Sequence, residues 1–568
     1  MMEESDRLFD TVLAALTGPG QQLEVAEASI DGVTLPVFKN APPSMAGYFM
    51  LALRHADADF IVYEGERYSY GEAYRRAEAL ARYLQDTHAI AKGDRVVLAM
   101  RNYPEWLFAF MALMMAGAVA VPLNAWWQAD ELAFALADSG ARLAIADEAR
   151  AERLATVPHD KRPPVLVVRG EVDLPDGMTR LEDLVFTSGK TPRPVAIAPE
   201  DDASIIYTSG STGSPKGAVS TQRAMVSALL NYGAIGLTQL EIDRRAGKAK
   251  DMQQAVLLTV PLFHVTGLIP VALVSFLIGR KIVMMHKWDV SEAFRLMESE
   301  RVTYFIGVPT MSLELLQHPK RDSYDLSALA DIGGGGAARP AAHVKRLKEA
   351  FPGQRPGLGY GLTETNGVGA INSREGYLKR PASTGRASKP MVEIGIFDEA
   401  GKACVTGEVG EICLRSAANV RGYWNRPQDT ASAFTPDGWF KSGDLGYLDD
   451  AGYLYIVDRK KDIIIRGGEN ISCLEVEAAL YHHPAVAEAS VFGLSDERLG
   501  EVVGAVVFLK PGETIEAEAL RDFVARNLAA FKVPTRLWLA ERPLPKLGSG
   551  KIDKVALRQR YGGRPKAS

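Results

Sequence analysis

Apolar residues along the chain fall into two patterns that alternate with each other. In one they recur at the spacing of an amphipathic helix, and in the other they form the short continuous runs of buried strands. The first part of the chain follows the order turn and helix 66–87, strand 94–100, helix 105–117, strand 118–124, helix 129–140 and strand 142–147. The same alternation returns over 255–309. Short apolar strands that alternate with helices predict an α/β fold with parallel sheets covered on both faces.

Beyond about residue 380 the pattern changes to strands joined by Gly- and Asp-rich turns, as in hairpins or a small β-barrel-like part. These strands are predicted at 393–401, 407–416 and 451–458. A second change near 458–461 begins a segment with the size of a small α+β domain. Its first helix opens on a capping box of Ser472 and Glu475. We therefore predict a loose N-terminal arm over 1–45, a large domain over 46–458 and a small C-terminal domain over 459–568.

One stretch, 106–123, has 18 residues without a charge, which is close to the lower length limit for a membrane span. Gly117 interrupts it, and the sequence then changes to a strand-like AVAVPL. A helix that runs into a buried strand explains this pattern better than a membrane span. We expect no transmembrane segment.

The charge balance argues against nucleic acid as a partner. Lys and Arg total 65 and Asp and Glu total 70, so the net charge is −5, whereas a dedicated nucleic-acid-binding protein is usually basic. The segment 532–568 departs from this balance with 10 basic and 2 acidic residues. Such a tail suits a polyanionic ligand, although a solvated charged face is the simpler interpretation.

The cysteines and the N-terminus favour a cytoplasmic protein. Cys404, Cys413 and Cys473 show neither a disulfide framework nor the spacing of zinc ligands, and such sparse cysteines are typical of a reducing compartment. The first ten residues are acidic and lack an apolar run, so no signal peptide is predicted. The sequence leaves a peripheral membrane contact and a homodimer open.

The most informative segment is YTSGSTGSPKGAVS at 207–220, which follows an apolar strand. Its glycines let several backbone N–H groups approach one anion, its hydroxyls add donors, and Lys216 adds a positive charge. These features suit a polyphosphate, whereas a plain surface loop would not need Lys and Pro there. The segment is not a P-loop, because counting from Gly210 the second glycine is replaced by Pro215.

A second glycine cluster, GGGGAARP at 333–340, allows two interpretations besides a plain turn. It contains G-x-G-x-x-A at Gly333, Gly335 and Ala338, which is typical of dinucleotide binding, but no acid ends a strand about 20 residues later. The other interpretation is that the glycines let the backbone pack closely against a flat nucleotide base. A nucleotide-binding protein or oxidoreductase built on this cluster therefore stays a hypothesis.

Four further residues stand in segments that suit nucleotide chemistry, although each segment also has an ordinary interpretation as a turn or core position. Glu364 could hold magnesium against phosphate oxygens. Asp444 could accept both hydroxyls of a ribose. Lys551 lies in the Gly-rich PKLGSGKIDK and could be delivered to a site and withdrawn. His264, in PLFHVTG, is a single histidine in apolar surroundings. The sequence contains no G-x-S-x-G nucleophile motif and no His/Cys cluster for a metal.

Taken in order, YTSGSTGSPKG, PLFHVTG, GGGGAARP, GYGLTE, SGDLGYLDDAGYLYIVDRKKD, GGENIS and PKLGSGKID resemble the ANL superfamily of adenylate-forming enzymes. The resemblance covers about residues 46–556 and is greatest to fatty-acyl and aryl CoA ligases. It implies an AMP-forming acyl-CoA synthetase with a large N-terminal domain of two covered sheets and a small mobile C-terminal domain. A carboxylate would attack the α-phosphate of ATP to give acyl-AMP and pyrophosphate, and coenzyme A would then displace AMP.

The resemblance also implies roles for single residues. The phosphates of ATP would be held by Thr208, Ser209, Gly210, Ser211, Thr212, Gly213 and Lys216, with Thr363 at the α-phosphate. Adenine would lie against Gly335, Gly336, Ala337, Tyr360 and Gly361, and the ribose against Asp444 and Arg459. Magnesium would be held by Glu364 and Thr212. Lys551 would bridge the carboxylate and the α-phosphate, and His264 would lie beside the carboxylate or the thiol path. Pantetheine would meet Gly467, Gly468 and Glu469 after rotation at the hinge residue Lys461. Of these, Lys551, Thr208, Lys216, Glu364 and His264 form the predicted catalytic set.

Two positions depart from the family pattern. The hinge, often Asp in related ligases, is Lys461, and the residue before the adenine glycines, usually Ser, is Gly334. The acid is predicted to be a medium- or long-chain fatty acid, in a pocket with walls near Asn231, Val308, Gly333 and Gly367. An aryl acid, or a free-standing carrier protein as acceptor in place of coenzyme A, is the alternative.

Overall fold

The computed structural model describes residues 3–170, 174–181, 183–208, 215–336, 339–548 and 550–562. Two large sheets form the body. The first runs in spatial order Gly422–Tyr423, Lys216–Thr221, Asp202–Thr208, Val119–Pro122, Arg95–Ala99, Leu143–Asp147, Val165–Val168 and Met178–Arg180. Its strands from Asp202–Thr208 to Met178–Arg180 are parallel, and the other two pair antiparallel at one edge.

The second sheet joins a parallel half to an antiparallel half. In spatial order it runs Glu393–Phe397, Gly410–Arg415, Phe440–Leu448, Tyr453–Arg459, Gly385–Ala387, Gly369–Ser373, Arg355–Gly361, Asp331–Gly334, Tyr304–Gly307, Ala255–Leu258, Lys281–Met284, Asp59–Tyr63 and Glu66–Ser69. The strand Arg355–Gly361 is the junction, since it pairs parallel on one side and antiparallel on the other. The hairpins predicted beyond residue 380 thus extend this sheet.

The C-terminal part has its own sheet and core. Its strands run Glu469–Ile471, Ile464–Arg466, Gly500–Leu509 and Val486–Asp496, with Arg536–Ala540 parallel to Gly500–Leu509. Apolar residues of these strands and of two helices form a core separate from that of the body. The predicted α/β class, with a large sheet-built N-terminal part and a small C-terminal part, is confirmed.

Helices cover the sheets and connect their strands. The α-helices are Glu4–Thr17, Met45–Met50, Tyr70–Thr87, Pro104–Met115, Ala129–Ser139, Glu148–Ala155, Asp183–Phe186, Gln222–Arg245, Ser275–Ile278, Val290–Ser299, Pro309–Gln317, Ala341–Ala350, Arg374–Lys379, Pro427–Ala433, Cys473–Tyr481, Ala517–Asn527 and Lys554–Tyr561. A π-helical segment, Gly267–Leu273, precedes Ser275–Ile278. Short 3₁₀ turns are Leu51–His55, His159–Lys161, Arg321–Ser323, Thr363–Thr365 and Ala530–Lys532.

The uncharged stretch 106–123 lies in the protein core as predicted. The helix Pro104–Met115 is almost wholly buried, and its apolar side chains leave no polar face, since it lies in the main core of the body. The strand Val119–Pro122 follows it in the middle of the first sheet. Across the described residues, no helix combines the length and the apolar character needed to cross a membrane.

The N-terminal segment is not a loose arm. Helix Glu4–Thr17 buries Val12 and Leu13, and Asp10 forms an ion pair with Arg386 at 2.7 Å. The hairpin of Val25–Ile30 and Val33–Phe38 follows. Its apolar residues do recur at helical spacing, so the prediction of a loose arm missed an amphipathic helix.

The capping box predicted at the start of helix Cys473–Tyr481 is only half formed. Ser472 Oγ accepts from the N–H of Glu475 at 3.1 Å, as an N-cap should. The Glu475 carboxylate instead accepts from Lys532 Nζ at 2.7 Å. A tertiary ion pair has replaced the local hydrogen bond.

Candidate active site

A turn of the C-terminal part brings Lys551 to the edge of the body. The turn is closed by the N–H of Leu547, which donates to the Lys551 carbonyl at 2.7 Å, and Gly550 has a φ of +81°, which favours glycine. A Cβ on Gly336 would lie 3.4 Å from Lys551 Cε, and a Cβ on Gly548 would lie 2.7 Å from the Trp126 ring. The glycines therefore allow the turn to lie directly against the body.

The Lys551 ammonium makes no ion pair or hydrogen bond with any described residue. Desolvation by the surrounding protein lowers its pKa to about 8, with the nearby Arg459 acting in the same direction and the carboxylates of Asp444 and Glu364 opposing it. A buried cation without a partner is costly, so this position favours an anionic ligand.

Asp444 and Arg459 are partners across two antiparallel strands of the second sheet. They lie opposite each other in the register, and Arg459 Nε is 3.2 Å from Asp444 Oδ1. The second oxygen, Oδ2, accepts from the hydroxyl of Tyr360 at 2.8 Å. Burial raises the pKa of the Asp444 carboxyl, against the effect of the guanidinium. The predicted adenine and ribose residues therefore lie together.

A chain of polar contacts joins the glycine-rich segment to Glu364. Lys216 Nζ is 2.7 Å from Asp429 Oδ1 and lies 5.5 Å from the centre of the Tyr423 ring. The Tyr423 hydroxyl donates to Glu364 Oε1 at 2.8 Å. Burial raises the pKa of the Glu364 carboxyl, while the Tyr423 hydrogen bond opposes that change.

The glycine-rich segment connects two antiparallel strands of the first sheet. Thr208 and Lys216 face each other where the strands Asp202–Thr208 and Lys216–Thr221 end and begin. The predicted residues Ser209, Gly210, Ser211, Thr212 and Gly213 lie outside the described residues. The strand ends nevertheless fix the two ends of this segment beside Tyr423 and Asp429.

The second glycine cluster leaves a parallel strand at its carboxyl end. Gly335 N–H donates to the Gly307 carbonyl at 3.3 Å, Gly336 has a φ of +76°, and Ala337 lies outside the described residues. A Cβ on Gly334 would lie 2.3 Å from Arg339 Nη2, so a serine there would have to displace the guanidinium of this buried arginine. The strand after this cluster ends at Gly361 rather than at an acid. The dinucleotide fingerprint is thus incomplete.

Thr363 and Glu364 form a 3₁₀ turn, Thr363–Thr365, just after that strand. Mg²⁺ usually keeps several waters and takes one or two protein carboxylates together with phosphate oxygens, so a single half-buried carboxylate with a free oxygen fits the ion. Within the described ranges, no group of three His, Cys, Asp or Glu residues could hold a metal ion by itself.

His264 and Lys551 lie close enough to interact. Desolvation lowers the pKa of His264 to about 3, and the Lys551 charge adds to this effect. The neutral ring accepts the Thr266 N–H at Nδ1, at 3.3 Å. His264 is therefore an uncharged side chain at neutral pH.

The predicted pantetheine residues lie apart from the rest. Gly467 and Gly468 form the turn of an exposed hairpin, with φ of +60° and +92°, and Glu469 begins its second strand. No described contact joins these three to the residues around Lys551. Lys461 is exposed between the body and this hairpin, and desolvation together with Arg459 lowers its pKa.

A cavity of about 830 Å³ extends from the glycine cluster through the body. It begins at Gly335 and Gly336 beyond the carboxyl ends of the parallel strands and reaches Thr303 and Ala330 at their amino ends. From Ala330 to Gly335, at about 3.3 Å per residue, it spans about 17 Å. Its apolar walls include Ile235, Leu237, Leu240, Val274, Leu277 and Ile278.

Two of the four predicted wall positions are correct. Gly333 and Gly367 line the cavity. Asn231 does not, since its side chain bonds to the backbone of Ser388 and Met391 instead. Val308 lies against Gly550 of the Lys551 turn. Asn231 lies on the buried side of the helix Gln222–Arg245, and another side of this helix lines the cavity. A single sequence does not reveal which side faces the cavity.

Sequence reasoning missed several residues that contact the predicted set. Asp429 and Tyr423 contact Lys216, and Trp126 contacts the Lys551 turn. Each is more than 200 residues from its partner along the chain and belongs to no recognised motif, so the sequence alone does not bring the partners together. A signal was available only for Trp126, an aromatic residue in a short loop after a buried strand.

Comparison with known proteins agrees with this geometry. Residues 50–424 match the family model of the AMP-binding enzyme, and residues 475–551 match the AMP-binding enzyme C-terminal domain. A feruloyl-CoA synthase of an Amycolatopsis species is 36% identical over 508 residues, which cover 89% of this chain and 96% of that protein. A long-chain-fatty-acid–CoA ligase of Bacillus subtilis is 32% identical over 88% of this chain and 91% of the relative.

Solved structures show the same fold. The o-succinylbenzoate CoA synthetase of Bacillus subtilis, in complex with its acyl-adenylate intermediate, superposes with a TM-score of 0.75 at 27% identity, over 92% of this chain and 99% of that one. A fatty acyl CoA synthetase of Mycobacterium tuberculosis gives a TM-score of 0.68 at 30% identity, over 92% of this chain and 98% of that one.

Proposed function

The chain belongs to the AMP-binding enzymes of the ANL superfamily and is an AMP-forming acid–CoA ligase, and we propose that its acid is a medium- or long-chain fatty acid activated in the crevice beside Lys551. ATP, the acid and coenzyme A are its substrates. The observation that carries the proposal is the buried Lys551 ammonium, which has no partner among the described residues and lies beside Gly336 at the mouth of a long, largely apolar cavity.

In the proposed first step the acid lies in the cavity with its carboxylate at Lys551. The carboxylate oxygen attacks the α-phosphorus of ATP, the bond to the β-phosphate oxygen breaks, and pyrophosphate leaves with that electron pair. Negative charge gathers on the α-phosphoryl oxygens in the transition state, and a desolvated cation stabilises it more than a solvated one. Lys551 supplies that cation.

The remaining predicted residues take roles that their positions support. Thr208, Lys216 and the segment between them hold the β- and γ-phosphates, and Thr363 meets the α-phosphate. Tyr360 and the glycine cluster flank adenine. Asp444 and Arg459 take the ribose hydroxyls, and a shared ion pair keeps both side chains at one edge of the sheet. His264, neutral at physiological pH, can lie beside a carboxylate without competing with Lys551 for it.

Magnesium, where bound, would be held by Glu364 and the triphosphate oxygens and would neutralise part of the phosphate charge. Tyr423 keeps the Glu364 carboxylate in position by donating to one oxygen and leaving the other open. Thr212 is proposed as a further ligand.

For the second step we take the C-terminal part, residues 459–568, to rotate about Lys461. Rotation would withdraw Lys551 and bring the exposed hairpin of Gly467, Gly468 and Glu469 toward the acyl-adenylate. The coenzyme A sulfur then attacks the acyl carbon, and AMP leaves. Exposure of Gly467, Gly468 and Glu469 in the present arrangement supports the proposal, since these residues stay accessible although the adjoining strand Ile464–Arg466 pairs with Gly500–Leu509.

The dimensions and walls of the cavity support the choice of a fatty acid. At about 1.3 Å of rise per carbon, for carbon–carbon bonds of about 1.5 Å, its length of about 17 Å takes a chain of a dozen carbons or so. An aryl acid is the second candidate, because polar side chains also line this cavity and a feruloyl-CoA synthase is among the relatives.

The test is pyrophosphate release with ATP and a panel of acids: saturated chains from six to eighteen carbons, and cinnamic and benzoic acids. We expect release with medium and long chains, and acyl-CoA and AMP on addition of coenzyme A. Ile235→Trp narrows the cavity and should shift the preference to shorter chains. Arg244→Trp, on the exposed face of the same helix, is the control. Release with aryl acids alone would reject the fatty acid, and no release with any acid would reject the site.

The three cysteines support a reducing location such as the cytoplasm. All three are free thiols, and burial raises the pKa of Cys413 to about 12, so it is not reactive.

A further inference from the structure

One wall of the cavity carries a buried arginine. Arg280 is 6% exposed and lines the cavity. Its backbone lies just before the strand Lys281–Met284, and its side chain extends from there to the π-helical segment Gly267–Leu273. Its Nε donates to Ser275 Oγ at 3.1 Å, and its Nη2 donates to the carbonyls of Pro270 and Val271 at 3.2 and 2.7 Å. The other terminal nitrogen, Nη1, donates to no described residue. It is also not among the enclosed polar atoms without a partner, so it is reachable from the cavity.

The charge of Arg280 is not balanced by a carboxylate. No described Asp or Glu forms an ion pair with it, whereas Arg355, which also lines the cavity, pairs with Asp243 and Asp331 at 2.9 and 2.8 Å. Carbonyl groups compensate part of the cost of burying a guanidinium, and an unpaired N–H remains expensive. The geometry leaves room for an acceptor that none of the described residues supplies.

A second donor lies beside this guanidinium. The Arg280 Cζ is 5.6 Å from the centre of the Tyr304 ring, and both side chains line the cavity. The Tyr304 hydroxyl has no hydrogen-bond partner among the described residues, and burial raises its pKa to about 12, so it stays protonated and can donate. Gln239, which also lines the cavity, has an enclosed Oε1 without a partner.

The Tyr304 hydroxyl lies at a defined depth below the reacting end, and the Arg280 guanidinium lies beside the ring that carries it. A Cβ on Gly333 would be 2.6 Å from the Tyr304 hydroxyl, so that hydroxyl lies at the level of Gly333. Gly335, at the nucleotide end, is two residues further along the chain, or about 7 Å at strand spacing. An oxygen that meets Tyr304 and Arg280 is therefore about one aromatic ring, or a short alkyl segment, beyond the carboxylate.

Helix capping does not account for this arrangement. Arg280 does cap the last turns of the π-helical segment Gly267–Leu273 and the helix Ser275–Ile278, a common role for a cation at a helix C-terminus. That role uses Nε and Nη2 only. It explains neither the free Nη1 nor a phenol hydroxyl without a partner at the same depth.

We infer that the acid carries a second, hydrogen-bond-accepting oxygen, a hydroxyl, carbonyl or carboxylate about 7 to 10 Å beyond the reacting carboxylate, and that Arg280 and Tyr304 bind it. The inference rests on the proposed function and narrows its substrate: among chain acids to oxygenated ones, and among aryl acids to those with a ring hydroxyl. A site built to bind such an oxygen discriminates strongly against the analogue that lacks it, since its donors are then left unpaired.

The test measures kcat/KM for acyl-CoA formation with matched acids: octanoic against 8-hydroxyoctanoic and octanedioic acids, and cinnamic against 4-hydroxycinnamic acid. In at least one of the two acid series, chain or aryl, we expect kcat/KM for the oxygenated acid to exceed that for its plain partner by tenfold or more, which is about 1.4 kcal/mol. Comparing the chain series with the aryl series distinguishes an oxygenated fatty acid from a hydroxyaryl acid as the substrate.

Two variants then assign the preference to residues. Arg280→Met should reduce the ratio of oxygenated to plain acid by tenfold or more, mainly through a higher KM for the oxygenated acid. Because Arg280 also caps a helix, Tyr304→Phe is the second variant: it removes only a hydroxyl without a described partner and should reduce the ratio about threefold or more, with an unchanged melting temperature, since a neutral hydrogen bond contributes about 1 kcal/mol.

The inference would be overturned if the plain acids reacted as well as or better than their oxygenated partners in both acid series. That result would leave the ligase function intact. An equal loss with both members of a pair in the Tyr304→Phe variant would also overturn it. No pyrophosphate release with any acid would instead reject the proposed function.

Discussion

The described protein leaves the ammonium of Lys551 unpaired, unlike the charged groups around it. Asp444 already has Arg459 and Tyr360 as partners, and Glu364 has Tyr423. Lys216 is held by Asp429. The charge of Lys551 is therefore available to the substrates, and desolvation makes its interaction with them stronger than it would be in water.

Lys551→Met should affect the two half-reactions unequally. We expect adenylate formation to slow by about 10²-fold or more, because one desolvated cation at the transition state is lost. Thioester formation from supplied acyl-AMP should change little, since the proposed rotation withdraws this residue. Pyrophosphate release and acyl-CoA formation measure the two steps separately.

The control for that variant is Arg542→Met, an exposed cation on the same segment, which should leave both half-reactions unchanged. Equal losses in both steps for Lys551→Met would remove this lysine from its proposed role.

The lowered pKa of Lys551 predicts a pH dependence. The protonated form is the useful one, so kcat/KM for adenylate formation should fall as pH rises through about 8, the pKa of this group in the free enzyme. Lys551→Arg keeps its positive charge over this pH range. The pH profile of this variant should therefore lack the fall above pH 8, whatever its absolute rate. A wild-type profile that stays flat to pH 9.5 would contradict the assignment.

At the scale of elements, the site is built where strands of both sheets end. Asp202–Thr208 ends at the proposed phosphate segment, and Asp331–Gly334 and Arg355–Gly361 end at the proposed adenine glycines and Glu364. The carboxyl ends of parallel strands form one edge, where ligands of open α/β sheets commonly bind. Helix Pro427–Ala433 adds Asp429 to this edge, and no motif marked it.

Asp429→Asn tests the contribution of that helix. The ion pair to Lys216 must be broken or shared when a triphosphate binds, and a partly exposed pair contributes up to about 1 kcal/mol. We therefore expect KM for ATP to fall by up to about fivefold, with kcat nearly unchanged. Steady-state kinetics with varied ATP measure this.

Asp437→Asn, an exposed carboxylate paired only with its own turn, is the matched control and should leave KM for ATP unchanged. A higher KM in Asp429→Asn would show that Asp429 positions Lys216 rather than competes for it.

At the scale of the whole molecule, two bodies enclose the crevice and a few contacts hold them together. His343 of the helix Ala341–Ala350, 7% exposed, contacts the ring of Tyr481 in the C-terminal part at 5.8 Å between centroids. Asp458, at the end of the body, accepts from the N–H of Leu474 at 3.3 Å and so caps the first helix of the C-terminal part. Both contacts belong to the arrangement in which Lys551 is inserted.

His343→Ala should weaken this arrangement without touching a substrate. An aromatic pair contributes about 0.5 to 1.5 kcal/mol, so we expect adenylate formation to slow by about two- to tenfold and thioester formation from acyl-AMP to be unchanged or faster. The ratio of the two rates measures the effect.

His482→Ala, on the adjacent C-terminal helix end, is the control for a histidine without such a contact. Equal slowing of both steps in His343→Ala would show a general loss of stability instead.

The sequence alone determined the alternation of helices and strands, the buried helix Pro104–Met115, and the order of motifs that resembles adenylate-forming enzymes. Periodicity and glycine-rich turns are local properties, so one chain displays them. Only the tertiary structure decided that Asp429 holds Lys216, that residues 4–17 pack on the body, and that Arg280 faces the cavity with a free nitrogen. These depend on which distant elements meet and on which side of a helix is covered, and neither is encoded in spacing along the chain.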